Sequence, residues 1–177
     1  MALLTSNKIK APSLHALLQY ELKDLYDAEH QILDALPGMA KEASDADLKR
    51  ALEDHKTTTE TQITRLEDCF NLLEEKPARE TCDGMKGIIK EGDMVLKGDM
   101  EQSVKDHAII AAAQRVEHYE MAGYRSAQEH ANHLGFSNVA ELLGQTMKEE
   151  EDADKALMNV STRLQKEVMK NATTKTA

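Results

Sequence analysis

Aromatic side chains make up only 3% of the sequence and tryptophan is absent, so a core has to be built from aliphatic side chains and methionine. Proline and glycine are also sparse, with 3 and 8 residues in 177, which leaves few points at which a helix must break. Only two cysteines are present, Cys69 and Cys82. They form no CxxC pair, which excludes a cysteine-held zinc site and a disulfide framework and fits reduced thiols. Basic residues are outnumbered, giving a formal charge of −10 and a pI near 5.2. A partner rich in phosphate, whether nucleic acid or an anionic membrane, is therefore excluded. No apolar run reaches the ~20 residues that cross a bilayer, and the first residues lack a signal-peptide core. The expectation is a cytoplasmic protein with no membrane or nucleic-acid partner.

What is abundant is Ala, Leu, Glu, Lys and Met, all strong helix formers. Four long helical segments follow from punctuation and periodicity. The first opens after Pro12-Ser13 and runs to about Ala43, with a bend expected at Pro37-Gly38. Ser44, with Asp47 three residues on, signals the start of the second, which continues to Lys76-Pro77. Residues 78–99 carry four glycines and read as a crossover holding one short helix. The third long segment covers about Glu101–Leu134 and stops at Gly135; Ser137 is expected to cap the fourth, which runs to about Lys170 before a disordered tail, NATTKTA. Two helical hairpins joined by a long crossover predict one all-α domain spanning residues 1–177, a ferritin-like four-helix bundle over about 13–170.

Spacing of three and four residues picks out one stripe on each long segment. Each stripe is apolar except near one level. There the first segment carries Glu29, the second His55, the third Glu117 and Glu120, and the fourth Glu150. Counted from the hairpin turns at a rise of ~1.5 Å per residue, these depths agree within about 12 Å. The five groups can share a layer. Four carboxylates in a dry core repel one another and are costly to desolvate, whereas two divalent cations would offset their charge of −4. Glutamate and histidine together suit iron or manganese rather than structural zinc. Two other readings stay open: a stripe displaced by one position, leaving the glutamates in solvent, or a metal-free layer of protonated carboxyls bonded to Tyr26, Tyr124 or Gln62.

The stretches LKDLYDAEHQI, His55 with TQITRLE, IIAAAQRVEHYEMAGY and TMKEEEDADKAL resemble the YciE/YciF family of bacterial ferritin-like, stress-associated proteins. More distantly, the pattern is similar to rubrerythrin-type di-iron sites, without their cysteine cluster. The resemblance implies metal ligands at Glu29, His55, Glu117, Glu120 and Glu150. It also marks two departures. Thr58 stands three residues after His55, where the family commonly has glutamate, and Asp154 stands one turn after Glu150 in place of the histidine of ferritins. Asp154 is kept as a sixth candidate ligand. His118 is expected to orient a carboxylate, and His107, His130 and His133 to lie at the surface. Cys69 is assigned to the core and Cys82 to the crossover. The implied function is a stress-associated protein holding two iron or manganese ions that react with hydrogen peroxide or dioxygen, as a homodimer. Its rival is a non-catalytic stress or structural dimer with a residual or empty site.

Overall fold

The structure, a computed structural model, describes residues 9–174, with side chains to residue 166. Five helices follow in order: α1 (Leu14–Glu42), α2 (Ala46–Leu72), α3 (Asp83–Leu96), α4 (Gln102–His133) and α5 (Ser137–Thr174). No strand occurs among the described residues. Contacts run α1 to α2, α2 to α5, α5 to α4 and α4 to α1, closing a four-helix ring, while α3 lies against α1 and α4. This is the expected ferritin-like bundle with one short helix in its crossover.

Ser13 caps α1, its hydroxyl accepting from the Ala16 N–H at 3.1 Å. The helix then continues unbroken through Pro37, and apolar residues at the predicted stripe positions, from Leu18 to Met39, are buried. The start of α2 differs from expectation. Asp45, not Ser44, is the cap, accepting from the N–H groups of Asp47 and Leu48. Ser44 instead donates its backbone N–H (2.8 Å) and hydroxyl (2.6 Å) to Asp106 of α4, which also accepts from the Asp45 N–H at 3.0 Å. The N-terminal part of α4 is thereby pinned to the α1–α2 turn. At the opposite end of the bundle His130 and Ser126 of α4 reach Glu21 of α1. The two hairpin turns therefore sit at opposite ends, and the depths counted from them agree because the shared level is the middle of the bundle.

Helix α2 stops at Leu72 rather than at Lys76-Pro77. Glu74 adopts a left-handed φ of 58°, and the Glu75 N–H turns back to the Phe70 carbonyl at 2.9 Å. Gly135 makes the equivalent turn after α4, at φ 81°, with the Phe136 N–H on the Ala131 carbonyl. Ser137 is the first residue of α5 and not its cap. That helix runs to Thr174, four residues past the expected end at Lys170; the remainder of the expected tail, residues 175–177, lies outside the described residues. Among the described residues no helix is long and apolar enough to cross a membrane.

The core divides in two. One apolar cluster, from Ala28 and Ile32 through Leu52, Ile109 and Leu157, fills the end near the α1–α2 turn. The other, from Leu18 and Leu22 through Leu66, Tyr124 and Leu143, fills the end near the α4–α5 turn. A buried polar layer separates them.

Candidate metal centre

The layer arises from helical geometry: each bundle helix runs through both apolar clusters and presents the residues midway to the same interior. Glu29 comes from α1, His55 from α2, Glu117 and Glu120 from α4 and Glu150 from α5, and all five are buried, Glu29 and Glu150 at 0% exposure. One ligand atom from each of His55, Glu117, Glu120 and Glu150 lies within 4.8 Å of all the others. His55 Nε2 is 3.6 Å from Glu117 Oε1 and 4.0 Å from Glu150 Oε2. Glu29 lies beside Glu120, and Glu117 beside Glu150. The two carboxylates of α4, three residues apart, face the same interior.

Burial is the leading influence on every charge here. It raises the Glu29, Glu117 and Glu120 carboxyls well above the usual range, with repulsion from neighbouring carboxylates adding to it. Glu150 is pushed up to about 7, chiefly by burial. The same desolvation brings His55 down to about 4. Its imidazole is neutral at pH 7, so its approach to Glu117 and Glu150 is not an ion pair.

Surrounding side chains fix the carboxylates. Tyr124, buried, donates its hydroxyl to Glu29. Gln62 donates to Glu150 and, at 3.2 Å, to Glu149. Arg65 holds Glu149 through two hydrogen bonds of 2.7 and 2.8 Å and donates a third to Thr146 at 2.7 Å. Even so, nine buried side-chain atoms in this layer have no hydrogen-bond partner. They are Glu29 Oε2, both nitrogens of His55, Thr59 Oγ1, Gln62 Oε1, Glu117 Oε2, both oxygens of Glu120, and Glu150 Oε2. Buried polar atoms are normally paired, because each orphan costs about 1–3 kcal/mol. Such a concentration among the described residues fits a bound cation, and the donor set of oxygens with one imidazole suits iron or manganese.

The remaining candidates fall elsewhere. Asp154 lies outside the group, accepting from Gln114 at 2.8 Å and lying 3.5 Å from His118. His118 is mostly exposed and faces Asp154, not a layer carboxylate. Tyr26 does not reach the layer; it donates to Glu67 at 2.7 Å and packs edge-on against Phe70. Thr58 is half-buried, its hydroxyl bonded to the Asp54 carbonyl at 3.3 Å, while the next residue, Thr59, is the one buried in the layer. His133 is exposed, but His107 is half-buried, its ring 2.8 Å from the Ser103 carbonyl, and His130 is half-buried against Glu21 at 2.7 Å. Cys69 and Cys82 are free and buried, and burial raises their thiols to about 12 and about 11. Arg65 and Glu149 were not expected at the site. Their only sequence signal is position, Arg65 one turn beyond Gln62 and Glu149 beside Glu150.

Comparison with known proteins identifies relatives of the chain as a whole. A family model described as a domain of unknown function, DUF892, matches residues 13–170. The chain is 36% identical to protein YciF of Escherichia coli (strain K12) over 141 residues, 79% of this chain and 85% of that one. Among solved structures it is similar to the E. coli stress protein YciF, with a TM-score of 0.84 and 33% identity, covering 86% of this chain and 97% of the other. It is also similar to YcfI of Rhodopseudomonas palustris, a candidate structural protein, with a TM-score of 0.82, 38% identity and coverage of 86% and 96%.

Proposed function

The chain belongs to the DUF892 family, and from that premise we propose that its buried layer is a two-metal centre for iron or manganese serving defence against small oxidants. The observation that carries this reading is the set of nine unpartnered polar atoms converging from four helices on one dry interior. Glu29, His55, Glu117, Glu120 and Glu150 would hold the ions, two charges of +2 against four carboxylates. When bound, such ions exchange electrons with hydrogen peroxide or dioxygen and polarise it.

The protein's own contribution is position and proton supply. Tyr124 and Gln62 each bind one oxygen of Glu29 and of Glu150 and leave the other free. His55 is neutral and carries no hydrogen bond on either nitrogen, so a lone pair is available without loss of a proton. Burial and mutual repulsion favour the protonated form of these carboxyls in the absence of metal, and a bound cation displaces those protons. The two apolar clusters on either side exclude water. A stress role agrees with that of YciF, and a reducing cytoplasm suits the two free thiols. The expected homodimer is part of the reading and is measured by sedimentation.

Metal analysis tests the proposal. Protein purified without chelator and then incubated with Fe(II) or Mn(II) is expected to hold about one to two equivalents per chain. Less than about a tenth of an equivalent removes the metal centre. Peroxide consumption lost in Glu120→Gln separates turnover from occupancy. The rival, a non-catalytic stress or structural protein, is favoured by Thr58, which adds no carboxylate on the α2 side; bound metal with no peroxide consumption would select it.

A further inference from the structure

We propose that the groove between α2 and α5 is the port by which divalent cations reach the buried layer, an inference that rests on the metal-centre reading. The groove has a volume of about 320 Å³. Its outer walls include Asp54 and Thr58 from α2 and Ala153 and Ala156 from α5, and His55 and Glu117 line it as well. Asp54 and Ala156 are exposed while His55 and Glu117 are buried, so the groove leads from solvent to the layer. It reaches His55, both of whose nitrogens lack a hydrogen-bond partner, and Glu117, whose Oε2 lacks one too.

The other cavity touching these two residues is a poorer route. It lies under α3, measures about 30 Å³ and is walled by Ile32, Ile88, Ile89 and Val116. That is room for about one water, too little for a hydrated cation to pass. A hexahydrated ion, at ~30 Å³ per water, needs about 180 Å³ for its waters, which only the larger groove supplies. Small side chains at Ala153 and Ala156 keep the α5 wall low.

Charge points the same way. Arg50 on the rim is paired with Asp47, whereas Asp54 has no ion-pair partner among the described residues. The carboxylates of the layer lie beyond it. Asp54 thus places one unpaired negative charge at the mouth, which attracts cations and repels anions.

Metal-free protein mixed with Mn(II), followed by loss of the free-ion magnetic resonance signal, reads the loading rate directly. Ala156→Trp places bulk on an exposed helix face across the groove. It is expected to slow loading by about tenfold or more, a rise of about 1.4 kcal/mol in the barrier, at unchanged final stoichiometry. Asp54→Asn should slow it about threefold at low salt and reduce its salt dependence. The control is Ala122→Trp, in the groove of about 270 Å³ between α1 and α4 that touches none of the layer residues; it should load as the wild type does. Wild-type loading by Ala156→Trp, or equal slowing by both tryptophans, overturns the port while leaving the metal centre standing. No uptake by the wild type removes the metal centre and the port with it.

Discussion

Arg65 grips Glu149 in a two-pronged hydrogen bond, 2.7 and 2.8 Å, directly beside the buried Glu150. The pairing raises the arginine further above its ordinary range, the Glu149 contact being the largest cause. It neutralises one carboxylate at the edge of a layer that already holds four. It also fixes the turn of α5 from which Glu150 projects, because the same guanidinium bonds Thr146 one turn earlier.

Arg65→Met should therefore lower the stability of the metal-free protein by about 1.5–3 kcal/mol, the range for hydrogen bonds to charged groups. Glu149 would then face Gln62 and the layer without its counter-ion. Urea unfolding of the wild type and variant measures the difference. An unchanged midpoint would show that solvent replaces the guanidinium without loss.

How much of this was readable beforehand differs by kind of feature. Glu29, His55, Glu117, Glu120 and Glu150 stand at helical spacing within apolar stripes, so periodicity alone places them in one interior. Arg65 sits one residue off the stripe through Leu66 and reaches the site by the length of its side chain, which no periodicity reveals. Tyr26 failed for the reverse reason: its ring lies near the core, but its hydroxyl finds Glu67 at the edge. The end of α2 was hidden because Glu74, a residue that rarely does so, takes the left-handed turn usually made by glycine. Ser44 has the chemistry of a cap, but Asp106, 62 residues away, claims its hydroxyl.

That last contact gives a prediction independent of any metal. Asp106 is 3% exposed and accepts from two backbone N–H groups and the Ser44 hydroxyl. Asp106→Ala leaves those donors unpaired at the junction of α1, α2 and α4, at an expected cost of about 2–4 kcal/mol. Ser44→Ala should cost about 1 kcal/mol, since only the hydroxyl bond is lost. Chemical denaturation checks both, and equal effects of the two variants would contradict the bonding pattern.

Thr58 allows the opposite experiment, adding charge. It lines the groove shared with His55 and Glu117, so Thr58→Glu places a carboxylate on the flank where α2 supplies only an imidazole. The affinity for the second metal equivalent should rise about tenfold, or 1.4 kcal/mol. Calorimetric titration with Mn(II) reads it, and an unchanged second equivalent would mean that the α2 side is not short of a ligand.

The sign of the pH dependence follows from the layer's opposed shifts. Glu29, Glu117, Glu120 and Glu150 have raised carboxyls, Glu150 at about 7. Between the unfolded value near 4.3 and the folded one, the native chain holds more protons than the unfolded chain, so stability falls as pH rises. For Glu150 alone the span corresponds to about 4 kcal/mol. His55, lowered to about 4, acts oppositely: its contribution is complete above about 6.5 and fades as pH drops toward 4. One imidazole is outweighed by four carboxyls, and above pH 6.5 only the carboxyls still titrate. The melting temperature of the metal-free protein should therefore decline from pH 5 to pH 8. Bound cations compete with those same protons, so Mn(II) should stabilise most at the alkaline end, and the gap between metal-loaded and metal-free melting curves should widen with pH. Scanning calorimetry across this range decides it. A metal-free melting temperature that is flat or rising from pH 6.5 to 8 would mean that these carboxyls are already ionised in the native chain and that the layer is wet.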